Sequence, residues 1–569
     1  MKTSIFILSC CLWSSSIQAQ ATLIKNVTVI DVVQGKAIAE QSVLISNGKI
    51  EQVGPANKIK APASASMIDG SGKFLMPGMT DAHIHFFQSG SLYTRPDVLD
   101  LRKKHPYELE LDFAKNNARD YMNRYLRLGI TSIIDVGGPF TNFTVRDSAG
   151  RQPAPDVLVT GPLFSMVAVD ELGNDRPIVK IGNKAQADSL LQKMLPFKPD
   201  FIKIWYIAGP EMPAEKNFAL VQYIAEQTHA HQLKLAVHAT ELNTAQLAVK
   251  AGADILVHSI DDAVVPDDFI KILKEKNIAY IPTMIVGSNY YKTFAGKLSH
   301  HPQDLRFANA FAYGSLTDPE SFSENDLLPI LKYMRKTGIP SAAFKADSIA
   351  AVNLKKLNDA GINISTGTDA GNIGTQHASS YLQELEAMQK AGLSNADLLK
   401  ASTIHPAMAF GRGAQTGSIA KGKNADLLLL DKNPLENIQH LQEIALVIKA
   451  GQSLLPDSLV IESPEAIVQR QLNAYNARNL EAFLDTYSED VEIYGFPATQ
   501  MSKGKEAMRK NYAGMFAGLP NLYCKIENRI VNGNVVIDKE KVRFADTYEY
   551  AVAIYEVKNG KISKVTFIQ

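Results

Sequence analysis

Cysteine is scarce in this sequence. Only 3 of its 569 residues are cysteine, and Cys10 and Cys11 both fall within the first residues, MKTSIFILSCCLWSSSIQAQA. This segment combines a positive start, a short apolar run and a small-residue exit, which is typical of a secretory signal peptide. Cleavage after Ala19 or Ala21 would leave Cys524 as the single cysteine and exclude an intrachain disulfide. Export without disulfides fits the periplasm of a Gram-negative bacterium, which is the localisation we predict.

The sequence also lacks any excess of charge. Lys and Arg together number 59, as do Asp and Glu, so the formal net charge is +0. Nothing in this balance favours nucleic acid or an anionic membrane as a partner. Beyond the signal segment no apolar run is long enough for a membrane helix, so we expect no membrane association after cleavage. The 46% hydrophobic and 21% charged residues are typical of a globular protein, and the length predicts two or three domains.

Internal repeats are absent too, but a strand–helix pattern recurs. After Pro77 the apolar runs are MTDAHIHFF, GITSIIDVGG, DVLVTGPLF, DFIKIWYI, LKLAVHAT, ADILVHSI, IAYIPTMIV and INISTGTDAG. Each is followed by a helical pattern, and their continuous hydrophobicity predicts a parallel sheet covered by helices. About eight such units predict an α/β fold, the (β/α)8 TIM barrel. Between the last two runs, about residues 288–345 form an oversized insertion, interpreted as a lid that carries Tyr290 and Tyr291.

Other parts of the chain have a different character. Residues 1–21 are the predicted signal peptide. Alternating segments with Gly and Asn turns predict antiparallel strands over 22–76 and again over 406–456. These two flanks are expected to form one small composite β-sandwich, into which the barrel at 77–405 is inserted. Residues 462–569 have helices followed by alternating strands, which predicts a separate α+β domain.

Reactive groups in a (β/α)8 barrel collect at the C-terminal ends of its strands. Six ionisable residues stand at or near such ends: His83, His85, Lys203, His238, His258 and Asp369. Burying any one of them without a partner is costly, so their convergence is explained if cations bind there. Imidazoles and carboxylates are suitable Zn²⁺ ligands. An ammonium group is not, unless carbon dioxide has converted the lysine to a carbamate, which could bridge two metals.

These motifs together resemble the metal-dependent amidohydrolase superfamily, and within it the imidazolonepropionase-like and prolidase-like branch. The resemblance rests on PGMTDAHIH, the strand-four lysine, the histidines in VHA and VHS, the GTDAG turn and GSIAKGKNADLLLLDKNPL, and it spans roughly residues 22–455. Residues 462–569 are similar to the NTF2-like (SnoaL-like) cone fold. That second likeness rests on helix patterning and on phrases such as NAYNARNLEAFL.

The resemblance implies a site with two divalent metal ions, expected to be Zn²⁺. The implied ligands are His83, His85 and Asp369 for the first metal, His238 and His258 for the second, and Lys203, carboxylated on Nζ by carbon dioxide, between them. A water held between the metals would be the nucleophile. Asp369 would be the catalytic residue that takes its proton and delivers it to the leaving amine. The implied reaction is hydrolysis of an amide or peptide bond in a small molecule, such as a dipeptide or an N-acyl amino acid.

Several of these residues have a plainer interpretation. Lys203 could be a buried lysine paired with an acid, and Asp369 could cap the following helix. His377 and Tyr206 are candidate substrate contacts, yet loop hydrogen bonding and packing would explain them as simply.

The function has alternatives as well. A cyclic-amide or lactone hydrolase, or a mononuclear deaminase, would belong to the same superfamily. A different class is an inactive scaffold that presents the C-terminal domain as a ligand-binding module. For that domain we predict dimerisation or accessory binding, and hence a homo-oligomer, because fold alone does not specify function.

Overall fold

The computed structural model describes residues 21–150, 153–209, 212–545 and 547–568. Apart from Ala21, the predicted signal peptide at 1–21 lies outside the described residues. Among the helices of the described ranges, none combines the length and the apolar character needed to cross a bilayer. Elements are numbered below in chain order.

Strands from both flanks join in a single eight-stranded sheet. They are β1 (Thr22–Asp31), β2 (Lys36–Ser46), β3 (Lys49–Pro55), β4 (Ser66–Asp69) and β5 (Phe74–Pro77), together with β16 (Leu427–Leu430), β17 (Ile444–Lys449) and β18 (Gln452–Leu454). The order is β18-β17-β16-β5-β1-β2-β3, with β4 beside β1. The antiparallel pairing of β16 with β5 joins the two flanks, as the alternating segments predict.

Parallel strands between the flanks close into a barrel. They are β6 (Met79–Ile84), β7 (Ile130–Asp135), β8 (Asp156–Val159), β9 (Leu163–Ser165), β10 (Ile178–Lys180), β11 (Ile202–Trp205), β12 (Leu235–His238), β13 (Ile255–Val257), β14 (Ala279–Ile281) and β15 (Asn363–Ile364). Strands β6–β8 form one run and β9 with β11–β15 another, and β10 lies outside β9. The amide of Asp200 donates to Val159 O (3.0 Å), and that of Asp369 to His83 O (2.7 Å). These two bonds link the runs at both junctions.

The third apolar run differs from its predicted single strand. It is divided into β8 and β9 at Gly161 and Pro162, where Gly161 has φ +79° and proline offers no amide hydrogen to continue a ladder. Strand β9 then pairs with β11 rather than with β7.

Helices alternate with the barrel strands. They are α1 (Tyr107–Arg127), α2 (Thr141–Ala149), α3 (Lys184–Met194), α4 (Ala214–Ala230), α5 (Leu242–Ala251) and α6 (Asp267–Glu275), with α12 (Tyr381–Lys390), α13 (Asn395–Ser402) and α14 (Ile404–Ala409) after β15. Their apolar faces pack against β6–β15 in the largest buried cluster of the described residues. Strands covered in this way are buried on both faces, which explains their continuous hydrophobicity.

The insertion between β14 and β15 is helical. It consists of α7 (Val286–Phe294), α8 (Pro302–Phe307), α9 (Ala310–Ser315), α10 (Pro329–Thr337) and α11 (Ser341–Asp359). Apolar residues of α8–α10 share one buried cluster with the C-terminal domain. The segment interpreted as a lid is therefore also the surface on which that domain rests.

The C-terminal domain packs three helices against one sheet. The helices are α15 (Pro464–Asn476), α16 (Leu480–Asp485) and α17 (Lys505–Gly518), and the strands are β19 (Tyr487–Gly495), β20 (Thr499–Lys503), β21 (Tyr523–Asn532), β22 (Val535–Phe544), β23 (Thr547–Lys558) and β24 (Lys561–Ile568). Their order is β20-β19-β24-β23-β22-β21. Burial alternates along β22, so successive side chains face the helices and the solvent in turn.

Candidate metal centre

The barrel brings all six predicted ligands to one cavity of about 300 Å³. Five of them stand at, next to or beyond the C-terminal end of a strand: His83 and His85 at β6, His238 at the end of β12, His258 after β13 and Asp369 beyond β15. The sixth, Lys203, is the second residue of β11. Residues at matching ends of neighbouring parallel strands meet at one edge of the sheet, which explains how positions 83 and 369 become neighbours.

Three of these side chains have the spacing of metal ligands. His83 Nε2 lies 3.3 Å from His85 Nε2, and Asp369 Oδ1 lies 3.3 Å and 3.1 Å from these two nitrogens. Donors bound tetrahedrally to one Zn²⁺ at about 2.0–2.1 Å are about 3.4 Å apart. The arrangement therefore fits a cation between the three atoms.

The protonation of the histidines also fits a cation. Burial, reinforced by the charge of Lys203 and by neighbouring histidines, holds the pKa of His83 well below its usual range. Burial likewise lowers the pKa of His238 and His258. Neutral imidazoles are the form that binds metals. In addition, His83 Nδ1 is buried without a hydrogen-bond partner among the described residues.

A second group of ligands adjoins the first. The rings of His238 and His258 lie 4.3 Å apart, and those of His83 and His258 lie 4.9 Å apart. His83, His258 and Asp369 can each offer one ligand atom, all within 4.8 Å of one another. His258 thus adjoins both His238 and the cluster around His83 and Asp369.

Lys203 lies in this cavity without a partner acid. Its side chain is 2% exposed, and no described carboxylate lies within ion-pair distance of Nζ. Burial lowers the pKa of Lys203 to about 7, against the opposing charge of Asp369. The plainer interpretation of Lys203 requires a paired acid, which this geometry does not provide.

Three residues at this site have an uncommon backbone conformation that sets the direction of their side chains. His258, Thr283 and Asp369 have φ values of +76°, +47° and +60° in the left-handed region. Non-glycine residues adopt this region rarely, and such residues cluster at functional sites. Thr283 Oγ1 lies 2.9 Å from His258 Nδ1, which fixes the ring. Gly371 keeps the turn after Asp369 close, because a Cβ there would stand 2.6 Å from His85 O.

Buried polar residues support the predicted ligands from behind. The Thr368 amide and hydroxyl donate to Asp81 at 3.0 Å and 2.7 Å, which fixes the turn before Asp369. His85 Nδ1 lies 2.7 Å from Gly137 O. Hydrogen bonds of this kind orient ligating side chains and are part of a metal site.

Asn372, Arg95 and Tyr290 form a chain that the sequence did not single out for this role. Asn372 Nδ2 donates to Asp369 Oδ1 (2.7 Å), while Asn372 Oδ1 accepts from Arg95 Nη1 (2.7 Å) and from the Tyr290 hydroxyl (2.7 Å). Asp97 in turn accepts from Arg95 Nε at 2.8 Å. All except Asp97 line the cavity. Arg95 and Asn372 lie in loops that follow barrel strands and Tyr290 lies in α7, the first helix after β14. Their position after barrel strands is the signal that could have identified them.

Glu384, in the first turn of α12, is fully buried. Its carboxylate accepts from the amides of Met284 (2.8 Å) and Ile285 (3.1 Å), and burial raises its pKa to about 8. It therefore fixes the loop after β14, whose Met284 lines the cavity.

The two candidate substrate contacts are not brought to this cavity. His377 is stacked on Tyr121 with ring centroids 4.2 Å apart, and its Nε2 lies 2.8 Å from Gln88 O. The Tyr206 hydroxyl donates to Ala214 O. Neither is among the lining residues, so packing and loop hydrogen bonding describe both.

Comparison with known proteins separates the chain into the same two parts. The profile of the amidohydrolase family matches residues 74–454, and that of the SnoaL-like domain matches residues 468–565. An imidazolonepropionase from Shouchella clausii (strain KSM-K16) is 23% identical over 450 residues, covering 71% of this chain and 82% of the relative.

Solved structures with the same fold carry hydrolase names. A putative prolidase from Bifidobacterium longum superimposes with a TM-score of 0.57 at 23% identity, covering 78% of this chain and 98% of its own. A Xaa-Pro dipeptidase with bound methionine gives a TM-score of 0.58 at 19% identity, covering 77% of this chain and 100% of its own. At these identities the likeness is one of fold.

Proposed function

The chain belongs to the amidohydrolase family, and from that premise we propose that it is an exported, periplasmic hydrolase with two zinc ions that cleaves the peptide bond of dipeptides. The observation that carries the proposal is the convergence of His83, His85 and Asp369 to within 3.3 Å of one another beside an unpaired buried lysine. A family of metal-dependent hydrolases supplies the reaction type, and the number of donors in the cavity supports a count of two metals.

The cavity residues have distinct proposed roles in metal binding and proton transfer. His83, His85 and Asp369 would hold one cation, His238 and His258 the other, with Lys203 between them. Two bound divalent cations would polarise the scissile carbonyl and lower the pKa of the attacking water. Asp369 would accept a proton from the attacking water and deliver it to the leaving amine. Asn372 donates to Asp369 Oδ1 and so fixes the carboxylate for both transfers.

The environment of Lys203 supports its proposed carboxylation. A neutral amine adds to carbon dioxide, forming an N–C bond and losing one proton, whereas an ammonium ion has no lone pair for this step. Burial lowers the pKa of Lys203 to about 7, so neutral amine is available near neutral pH. The resulting carbamate would bring a negative charge to a cavity that holds four histidines.

Two further carboxylates favour dipeptides over N-acyl amino acids. Asp261 and Asp347 line the same cavity, with the exposed Asp347 at its rim. Burial and the neighbouring Asp262 raise the pKa of Asp261 to about 6. Asp261 has no described cation within ion-pair distance, whereas the charge of Lys292 acts on Asp347. A free amino terminus would supply the missing positive charge, and an acylated one would not.

The substrate class is tested with a dipeptide, its N-acetyl derivative and the cyclic dipeptide of the same residues. We expect the free dipeptide to be hydrolysed fastest and Asp261→Asn to raise its KM several-fold. Asp147→Asn, which changes an exposed carboxylate on α2, is the matched control. Faster turnover of the cyclic compound would instead favour the cyclic-amide hydrolase. Faster turnover of the acetylated compound would contradict binding of a free amino terminus by Asp261.

The metal count is tested by elemental analysis of protein purified without chelator. We expect about two equivalents of zinc per chain, loss of hydrolysis on chelation, and recovery with zinc and bicarbonate. About one equivalent would favour the mononuclear deaminase. No metal, even after zinc and bicarbonate are supplied, would favour the inactive scaffold.

A further inference from the structure

The C-terminal domain encloses a cavity of about 630 Å³ between its helices and its sheet. None of the residues that line it lines the metal cavity of the barrel. Its volume is in the range of sites that bind small molecules. The cavity is therefore a second candidate site, whose chemistry can be read from its own side chains.

Two acidic side chains face the interior from the same strand. Asp538 and Glu540 are two residues apart on β22, where burial alternates, and they are 1% and 8% exposed. Asp538 is matched by a cation, because Arg529 donates to its two oxygens at 2.7 Å and 2.7 Å. Its remaining terminal nitrogen, Nη1, donates to Gln469. The charge of Arg529 is thus already committed.

Glu540 has no such partner. One of its oxygens accepts from the Tyr555 hydroxyl at 2.8 Å, and no hydrogen bond or ion pair of the described residues engages the other. Burial, with the nearby charge of Asp538, raises the pKa of Glu540 to about 7. Unlike Asp538, this carboxylate lines the cavity. A buried carboxylate without a cation is costly unless a bound group supplies the missing charge.

The rest of the lining suits an organic cation. Eight aromatic side chains line the cavity, among them Tyr475, Tyr487 and Tyr512, and Met508 and Met515 add adaptable apolar surface. Aromatic rings attract positive charge through their faces. No Lys, Arg or His is among the residues that line it. An anion would therefore meet Glu540 with no compensating charge.

We propose that this cavity binds an organic amine cation with an apolar body, whose charged head pairs with Glu540 and whose body packs among the tyrosines and methionines. Such a ligand satisfies the free carboxylate oxygen and fills the apolar volume at once. The inference is independent of the reaction in the barrel.

The test uses the full-length protein with its metals and three matched probes: 4-phenylbutylamine, 4-phenylbutanol and 4-phenylbutyrate. Isothermal titration at pH 8 should show one amine per chain, bound at least tenfold more tightly than the alcohol, and no binding of the carboxylate. Glu540→Gln should weaken amine binding at least tenfold. Glu527→Gln, on the exposed face of the same sheet, should leave it unchanged.

Equal affinity for the amine and the alcohol would overturn the proposal, because the cavity would then be merely apolar. Amine binding that survives Glu540→Gln would also overturn it, since the probe would be held elsewhere, and so would the absence of saturable binding. Val542→Phe provides a second test if Glu540→Gln misfolds. It narrows the same cavity from the same strand and should abolish amine binding.

Discussion

At the residue scale, each of the two candidate sites contains a buried ionisable side chain that lacks a partner of opposite charge. Asp538 and Glu462 form ion pairs with arginines. Among the described residues, Lys203 has no carboxylate within ion-pair distance and Glu540 has no cation within ion-pair distance. Buried ionisable groups without partners are expensive, and they mark positions where a ligand completes the structure. Both proposals above begin from such a residue.

Lys203→Ala should remove the group expected between the two metals. We expect zinc content to fall from about two to about one equivalent, and kcat to fall by several orders of magnitude, because the second cation is then held by imidazoles alone. Elemental analysis and dipeptide hydrolysis measure both effects, and short-chain carboxylic acids should partly restore activity by replacing the carbamate. Lys193→Ala, at an exposed position on α3, is the control. Two zinc ions in Lys203→Ala would contradict the bridging role.

Asn372→Ala should release the Asp369 carboxylate. We expect kcat to fall about 10–100-fold, with KM changed little, because the hydrogen bond orients the proton acceptor rather than the substrate. Asn243→Ala removes a similar amide from the exposed surface and should change neither constant. A loss confined to KM would show that Asn372 contacts substrate instead.

Glu540→Gln should change how stability depends on pH. The folded pKa of about 7 lies above the ordinary value of 4.5, so the folded state holds the proton more tightly. The stabilisation that the protonated Glu540 contributes is fully present below about pH 4.5 and is lost as the pH rises through 7. The variant lacks this loss and should be more stable than the wild type at pH 8, by up to about 3 kcal/mol, but not at pH 4. Urea unfolding at both values measures the difference, and an equal difference at both would contradict it.

At the element scale, the barrel site depends on a turn that is local in sequence, whereas the C-terminal domain is held by contacts between segments distant in sequence. The GTDAG turn brings Asp369 to β6 through the four residues that follow β15, which a local motif can encode. By contrast, the contacts of Arg470 in α15 with Leu305 and Ala308 join positions 165 and 162 residues apart. Arg470 on α15 donates to Leu305 O (2.9 Å) and Ala308 O (2.9 Å) and pairs with Glu462.

Arg470→Ala should therefore loosen the C-terminal domain. Burial alone would raise the pKa of Glu462, but Arg470 and Arg124 hold it at about 2, and the variant keeps just Arg124. The carbonyl of Leu305 is also left without its donor, while that of Ala308 keeps Arg124, so we expect a loss of about 3 kcal/mol in the unfolding free energy. Arg509→Ala breaks an exposed pair with Glu481 and should have no measurable effect. Equal denaturation midpoints for both variants would contradict the role of Arg470.

At the scale of the whole molecule, the barrel and the C-terminal domain share a hydrophobic core. Leu305, Tyr313 and Leu331 from the insertion belong to the same buried cluster as Ile467 and Phe483. Two parts that share a core are not independent folding units. The homo-oligomer predicted from the sequence remains a prediction.

A chain ending at residue 461 should accordingly be unstable. Removing the C-terminal domain exposes the apolar side chains of α8–α10, so we expect aggregation and a sharply lower soluble yield. Co-expression of residues 462–569 as a separate chain should recover soluble protein. Size-exclusion chromatography and zinc content measure the result. A truncated chain that is monomeric, soluble and fully active would contradict the shared core.

Local patterns in the chain are enough to predict the barrel, the joining of the flanks and the SnoaL-like domain, and the fold-class prediction is confirmed by the family matches. Continuous hydrophobicity, turn residues and ionisable strand ends are local signals, and strand ends converge by the geometry of the fold. Other features arise in the tertiary structure alone. Asn372 and Arg95 are 277 positions apart, and nothing local predicts their contact. The burial of His377 against Tyr121 and the unpaired state of Glu540 likewise depend on side chains from distant segments, whose distances the packing of the whole chain sets.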